Sequence, residues 1–130
     1  GGGPAAEPGA AAWPPAEAER ARALCRVAEL NCAACLLRLE RWAAACEACD
    51  AVLAEDGKSV KALFRRGQAR LRLGDAEAAA RDFGLVLEAD PENKEAERQI
   101  ELCRRAQASA ADRARFRQER KGQVVRGKWD

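Results

Sequence analysis

Three polar side chains stand at spacings that suit the binding of a carboxylate. Lys61 and Arg65 lie four residues apart, so on a helix they share one face. Asn31 precedes Arg65 by 34 residues, which is the length of one internal repeat of this chain. A lysine supplies a mobile point charge, an arginine a planar fork of donors, and an asparagine a neutral donor that orients a second oxygen. The set predicts a site for the acidic end of a peptide; the alternative is a pair of solvated helix charges.

Further polar residues extend this set along the same helices. Gln68 and Arg72 follow Arg65, and Arg38 holds the position of Arg72 one repeat earlier. The predicted peptide-binding residues are Asn31, Lys61, Arg65, Gln68, Arg72 and Arg38. No catalytic residue and no cofactor is predicted, because the chain has no histidine and so lacks the usual general base and proton shuttle.

An internal repeat supplies the elements that position these residues. Residues 26–59 and 60–93 match when the sequence is shifted by 34 positions, which is the period of tetratricopeptide (TPR) repeats. In the second copy, Gly67 stands in the first helix and Ala79 precedes Phe83 by four residues, as the TPR pattern requires. Each copy is therefore expected to form two antiparallel helices joined by a tight turn.

Small residues mark the points where the paired helices are expected to cross. The first copy is looser than the second, but Ala33 and Ala45 hold the positions of Gly67 and Ala79. Two helices approach closely only where small side chains stand at the crossing. Both copies therefore predict the same helical hairpin.

The remaining segments are predicted to flank these repeats. Residues 1–15 combine flexible glycine with proline and indicate a disordered linker, and residues 16–25 extend the first helix. Residues 94–120 are amphipathic and are expected to form a capping helix, followed by a basic tail at 121–130. One stripe of this helix is expected to pack on the second repeat: Ala96, Ile100, Cys103, Gln107 and Ala110. The fold class is all-α: a helical-repeat solenoid of two helix-turn-helix TPR repeats over 16–93 and a long C-terminal capping helix. Since the chain has no methionine, we expect it to be a piece of a longer protein.

Composition limits the cellular locations and the classes of partner that the sequence predicts. No stretch approaches the roughly 18 apolar residues of a membrane span, and the N-terminus lacks the pattern of a secretory signal, so a cytoplasmic location without membrane attachment is predicted. With 5% aromatic residues and no recognisable nucleic-acid motif, nucleic acid is not predicted as a partner.

The cysteines offer a different chemistry. Cys32-x2-Cys35 and Cys46-x2-Cys49 are two CxxC pairs, reminiscent of zinc sites, and a zinc or redox module is the third hypothesis for this chain. Both pairs fall inside predicted helices, whereas structural zinc knuckles usually place CxxC in a turn. Reduced cysteine behaves as a small apolar residue. We therefore interpret every cysteine as a core residue: Cys25, Cys32, Cys35, Cys46, Cys49 and Cys103.

The same segments resemble a known family. The sequence is similar to the TPR region of large FKBP-type immunophilins at residues 30–35, 60–69, 82–83 and 86–87. The resemblance implies that Asn31, Lys61 and Arg65 form part of a dicarboxylate clamp. In that family the clamp binds the C-terminal Glu-Glu-Val-Asp of cytosolic heat-shock chaperones, heat-shock protein 90 or heat-shock protein 70. The implied function is thus a co-chaperone interaction module and not an enzyme.

The resemblance also implies a longer parent protein. The family's first repeat, which adds a further lysine and asparagine to the clamp, and its prolyl isomerase domain have no counterpart in this sequence. The alternative function is therefore a fragment of an FKBP-type peptidyl-prolyl cis-trans isomerase whose catalytic domain lies outside the chain. The basic stretch 104–128 around Phe116 is interpreted as a solvated face of the capping helix, and the resemblance adds calmodulin as a candidate partner.

Overall fold

Five helices make up the part of the chain that the structure, a computed structural model, describes. That part is residues 13–129, with side chains described for residues 13–122. The helices are α1 (Pro15–Arg38), α2 (Trp42–Glu55), α3 (Val60–Arg72), α4 (Ala76–Ala89) and α5 (Lys94–Trp129). Each helix packs against the next one, and α3 also touches α1 and α5. The all-α prediction is confirmed. Within 13–129 no helix is both long and apolar enough to cross a membrane.

Local chemistry explains where the helices of the repeats begin and turn. The side chains of Ser59 and Asp75 accept hydrogen bonds from the backbone N–H three residues later, at 3.3 and 3.1 Å, and so cap α3 and α4. Glu40 has φ 59° between α1 and α2, and Gly74 has φ 90° between α3 and α4. These two residues are one repeat apart, so both hairpins turn through the left-handed region at the same repeat position.

The small residues lie at the helix crossings, as predicted. Ala33, Ala45 and Ala79 are fully buried at 0% exposure. Gly67 is buried as well, and a Cβ placed there would lie 2.7 Å from Cζ of Phe83. At this crossing the ring of Phe83 takes the space that any side chain at position 67 would need.

An ion-pair network joins three helices inside the repeats. Asp82 of α4 is the only buried charged side chain within residues 13–122, at 2% exposure. Its carboxylate accepts two hydrogen bonds from Arg66, at 3.0 and 2.8 Å, and one from Arg70 at 3.0 Å. Arg66 also donates to Asp50 of α2 at 2.7 Å. The hydrogen bonds to Asp82 are the main reason why the pKa of Arg66 is raised. The network ties α2, α3 and α4 together.

The cysteines fall into two environments. Cys49 and Cys103 are fully buried and Cys46 is half-buried, in keeping with an apolar packing role. Three cysteines of α1 are exposed: Cys25, Cys32 and Cys35. For these three the prediction of core packing is wrong. Their spacing of seven and three residues places them on one face of α1, whereas Ala33 faces the core on another side of the helix.

Only the first three turns of α5 pack against the repeats. Ala96 and Cys103 are fully buried, but every side chain from residue 107 to 122 is exposed. The predicted packing stripe included Gln107 and Ala110, and for these two residues the prediction is wrong. The physical reason is the length of α5. It has 36 residues, whereas α4, against which it packs, has only 14, so the C-terminal part of α5 extends beyond its neighbour.

The ends of the chain differ from the predicted boundaries. α1 begins at Pro15, the last residue of the predicted linker, and residues 1–12 lie outside the described part. α5 continues to Trp129, so the predicted change from a capping helix at 94–120 to a separate tail at 121–130 is wrong.

Candidate peptide-binding groove

A groove opens between α3 and the first turn of α5. Its volume is about 430 Å³. It combines apolar side chains with cationic, amide and acidic ones. The lining residues are Val60, Lys61, Phe64, Arg65, Gln68, Asn93 and Glu95. The two repeats thus present, on the side of their first helices, a concave surface that is large enough to take side chains of a peptide.

Two cations face this groove from successive turns of α3. Lys61 is exposed, whereas Arg65 is half-buried. Nη1 of Arg65 donates a 2.7 Å hydrogen bond to the backbone carbonyl of Leu30 on α1. This bond holds the guanidinium in place between the two helices. An arginine has five N–H donors, so four remain for a ligand.

Asn31 is not among the residues that line the groove. It is exposed on α1 and follows Leu30, the residue whose carbonyl accepts the bond from Arg65. The structure therefore brings Lys61, Arg65 and Gln68 into one groove, whereas Asn31 lies on α1 outside its lining.

Arg38 and Arg72 lie in a second groove, which adjoins the first at Gln68. Its volume is about 420 Å³. The guanidinium carbon of Arg72 lies 4.9 Å from the centroid of the Trp42 ring, within the range of a cation–π contact. The lining residues are Leu37, Arg38, Trp42, Gln68, Leu71, Arg72, Gln99 and Leu102. This groove is mostly apolar and continues the surface along α3.

Asn93 and Glu95, at the start of α5, line the groove but were not predicted from the sequence. Oδ1 of Asn93 accepts a hydrogen bond from the backbone N–H of Ala96 at 2.9 Å, which caps the helix. Glu95 accepts hydrogen bonds from Gln99, at 3.1 Å, and from Arg98. These two bonds, that from Gln99 first, lower the pKa of Glu95. The order of the helices could have predicted them, because α5 follows the second repeat at the place of the first helix of a further repeat.

The metal hypothesis finds no cluster to support it in the described part of the chain. Residues 13–122 contain no group of three or more histidine, cysteine, aspartate or glutamate side chains placed to hold a metal ion. Burial raises the pKa of Cys49 to about 11 and also raises the pKa of Cys46. A raised pKa disfavours the thiolate that metal binding and redox chemistry require.

Curated proteins with similar sequences include peptidyl-prolyl isomerases of the FKBP type. No protein-family model matches the chain. Human peptidyl-prolyl cis-trans isomerase FKBP4 is 44% identical over 87 residues, which are 67% of this chain and 19% of the relative. FKBP42 of Arabidopsis thaliana is 42% identical over 71 residues, 55% of this chain and 20% of the relative. The chain thus spans about a fifth of the length of these relatives. The segment matched in FKBP4 is its TPR region and not its isomerase domain.

Solved structures with the same fold are TPR domains. The first TPR domain of Spaghetti (RPAP3), bound to the HSP90 peptide SRMEEVD, has a TM-score of 0.63 and 35% identity, covering 64% of this chain and 66% of that one. The C-terminal TPR-containing domain of a Plasmodium falciparum FK506-binding protein has a TM-score of 0.72, covering 78% and 68% of the two chains. At 24% identity, the second likeness shows the fold alone. Together with the sequence relatives, these likenesses support a TPR region similar to those of FKBP-type co-chaperones.

Proposed function

We propose that this chain is a co-chaperone module that binds the acidic C-terminal Glu-Glu-Val-Asp of a heat-shock chaperone, heat-shock protein 90 or heat-shock protein 70, through a carboxylate clamp. The observation that carries the proposal is the common groove of Lys61 and Arg65. Two cations on successive helical turns, with Gln68 beside them, match a ligand that ends in several carboxylates. A cytoplasmic location follows from this partner, and microscopy of the tagged protein tests it.

Each residue of the clamp has a separate role in this proposal. The guanidinium of Arg65, held by the Leu30 carbonyl, receives a carboxylate with its remaining donors. Lys61 neutralises a second carboxylate as a mobile charge, and Asn31 orients the backbone end of the peptide from α1. Preceding residues of the peptide continue over Gln68 into the second groove. There Arg38 and Arg72 extend the polar surface beside the apolar lining.

The likeness to RPAP3 supports the choice of ligand. That TPR domain is bound to a peptide whose C-terminus is acidic, and it is 35% identical to this chain. Similarity at this level, with two cations and an amide lining one groove, favours an acidic C-terminal peptide over other ligands of helical repeats.

Calorimetric titration with a peptide ending in Glu-Glu-Val-Asp, at fixed salt, tests the proposal. We expect binding that is lost when the terminal carboxylate is amidated. A charge-assisted hydrogen bond contributes roughly 1.5–3 kcal/mol, so Arg65→Ala is expected to weaken binding about tenfold or more. Arg65→Lys is also expected to weaken binding, because the planar fork is lost.

A matched variant controls for the loss of a positive charge. Arg81 is exposed on α4, outside the groove, and pairs only with Glu77 one turn away among the described residues. Arg81→Ala is expected to leave the affinity unchanged. Arg65 also donates a hydrogen bond to the Leu30 carbonyl, so its replacement could lower stability as well as affinity. Thermal unfolding of each variant is therefore measured together with binding. Unaltered affinity in a folded Arg65→Ala protein would exclude the clamp.

A second candidate function concerns the whole protein from which this chain comes. The curated relatives are named as peptidyl-prolyl cis-trans isomerases, which supports an isomerase as the parent. An isomerase assay of this chain tests whether the chain itself is catalytic. We expect no turnover, because the catalytic domain of such a parent would lie outside the chain, and measurable activity would contradict this.

Calmodulin is a further candidate partner, at the exposed part of α5. Phe116 is 59% exposed, and the guanidinium carbon of Arg120 lies 5.7 Å from the centroid of its ring. A basic helix that displays an apolar anchor is typical of calmodulin targets. Titration with calmodulin in the presence and absence of calcium tests this proposal, and calcium-independent or absent binding would contradict it.

A further inference from the structure

We propose that Glu95 determines the specificity of the groove: its carboxylate disfavours a ligand carboxylate at the α5 wall and favours a ligand that presents a hydrogen-bond donor there. The inference rests on the proposed function, because it concerns the same peptide in the same groove. The ligand class that it defines is a peptide with an acidic C-terminus and a lysine, arginine or amide side chain a short distance upstream.

Glu95 is anchored and yet accessible. Gln99 and Arg98 donate to its two carboxylate oxygens from the next turn of α5, which restrains the side chain from swinging away. The Glu95 side chain remains 45% exposed, so a ligand in the groove can reach it. A glutamate is ionised at neutral pH, and these hydrogen bonds lower its pKa further.

The groove places this charge where a bound peptide meets it. Glu95 lines the same groove as Lys61 and Arg65, from α5 and not from α3. A peptide whose terminal carboxylates are bound by Lys61 and Arg65 therefore presents its neighbouring residues to the Glu95 carboxylate. One wall attracts carboxylates and the other attracts donors, so the groove distinguishes peptides by the order of their charges.

Replacing Glu95 by glutamine tests the inference in the full chain. The two probes are the peptide ending in Glu-Glu-Val-Asp and a matched peptide ending in Glu-Lys-Val-Asp. We expect Glu95→Gln to tighten binding of the first about two- to fivefold and to weaken binding of the second by a similar factor, the range of a partly exposed charge pair. Equal changes for both peptides, or no change for either, would overturn the inference.

Two controls separate the charge of Glu95 from other effects. Glu97→Gln removes the same charge from α5 at a residue outside the groove lining, and is expected to leave both affinities unchanged. Since Glu95→Gln also frees Arg98, the substitution is repeated in an Arg98→Gln background. The changes in affinity are expected to persist there, and their disappearance would assign them to the freed arginine and refute the role of Glu95.

The same titrations distinguish this inference from the proposed function. If Arg65→Ala loses binding of the acidic peptide while Glu95→Gln changes nothing, the clamp stands and the specificity role of Glu95 fails. If the unaltered chain binds neither peptide, both proposals fail together.

Discussion

The contact between Gly67 and Phe83 sets a narrow limit on side-chain size in the second repeat. An alanine Cβ at position 67 would lie 2.7, 2.9 and 3.0 Å from three atoms of the Phe83 ring. The ring has little room to withdraw, because it is fully buried and packs edge-on against Phe64 with centroids 5.2 Å apart. Gly67→Ala must therefore push α3 and α4 apart or displace two aromatic rings.

The size of the effect follows from two opposing contributions. Alanine favours a helix over glycine by about 0.8–1 kcal/mol, which stabilises the variant. Overpacking of a filled core costs about 1–3 kcal/mol, and three contacts at or below 3.0 Å place this site toward the upper end of that range. We expect Gly67→Ala to lower the free energy of unfolding by about 1–2 kcal/mol.

Urea denaturation followed by circular dichroism measures this change, and Gly84 provides the matched control. Gly84 is a helical glycine of α4, and a Cβ built there meets nothing within 4 Å. Gly84→Ala is expected to raise the free energy of unfolding by about 0.5–1 kcal/mol. The double variant Gly67→Ala with Phe83→Leu is expected to lose less stability than the sum of the two single losses. A Gly67→Ala protein as stable as the parent would refute the steric argument.

Asp82→Asn is expected to lower the free energy of unfolding by about 2–3 kcal/mol, because two arginines of α3 lose their buried counter-charge. Urea denaturation measures this change. A similar loss of stability in the variant of an exposed carboxylate, Asp112→Asn, would contradict the explanation. Maleimide labelling of the native protein with mass spectrometry is expected to modify the exposed thiols of α1 and to spare Cys49 and Cys103; early labelling of either buried thiol would contradict the packing. Burial raises the pKa of Cys49 from 9.0 to about 11, so the unfolded thiol ionises first and the free energy of unfolding is expected to fall between these pH values. Cys49→Ala is expected to lack this part of the pH dependence, and an unchanged slope would assign it to other groups.

The helical hairpins could be predicted because their determinants are local and repeated. Each small residue at a crossing recurs one repeat later, as Ala33 and Gly67 do, and the turns fall between the same repeat positions. The end of packing along α5 is not a local property. Residues 107–122 have good helical sequence, but whether they are covered depends on the length of α4.

The candidate site could be predicted only where its residues share a helix. The four-residue spacing of Lys61 and Arg65 was enough to place both in one groove. Glu95 enters that groove because α5 packs back on α3, and the bond from Arg65 to the Leu30 carbonyl joins residues 35 positions apart. The sequence alone does not distinguish Asp82 from an exposed surface charge, because its arginine partners lie on another helix, α3. Such contacts depend on tertiary packing and not on periodicity.

Amide hydrogen exchange is expected to divide α5 at the point where its packing ends. Up to Cys103, opening the backbone also breaks contacts with the repeats, so those amides share the protection of the whole cooperative unit. From residue 107 to 122 the hydrogen bonds open without exposing any buried side chain, and their opening free energy approaches that of an isolated helix of the same length, which is marginal in water. One continuous helix thus contains two segments of different stability. A ligand in the groove would slow amide exchange only in the segment that packs against the repeats.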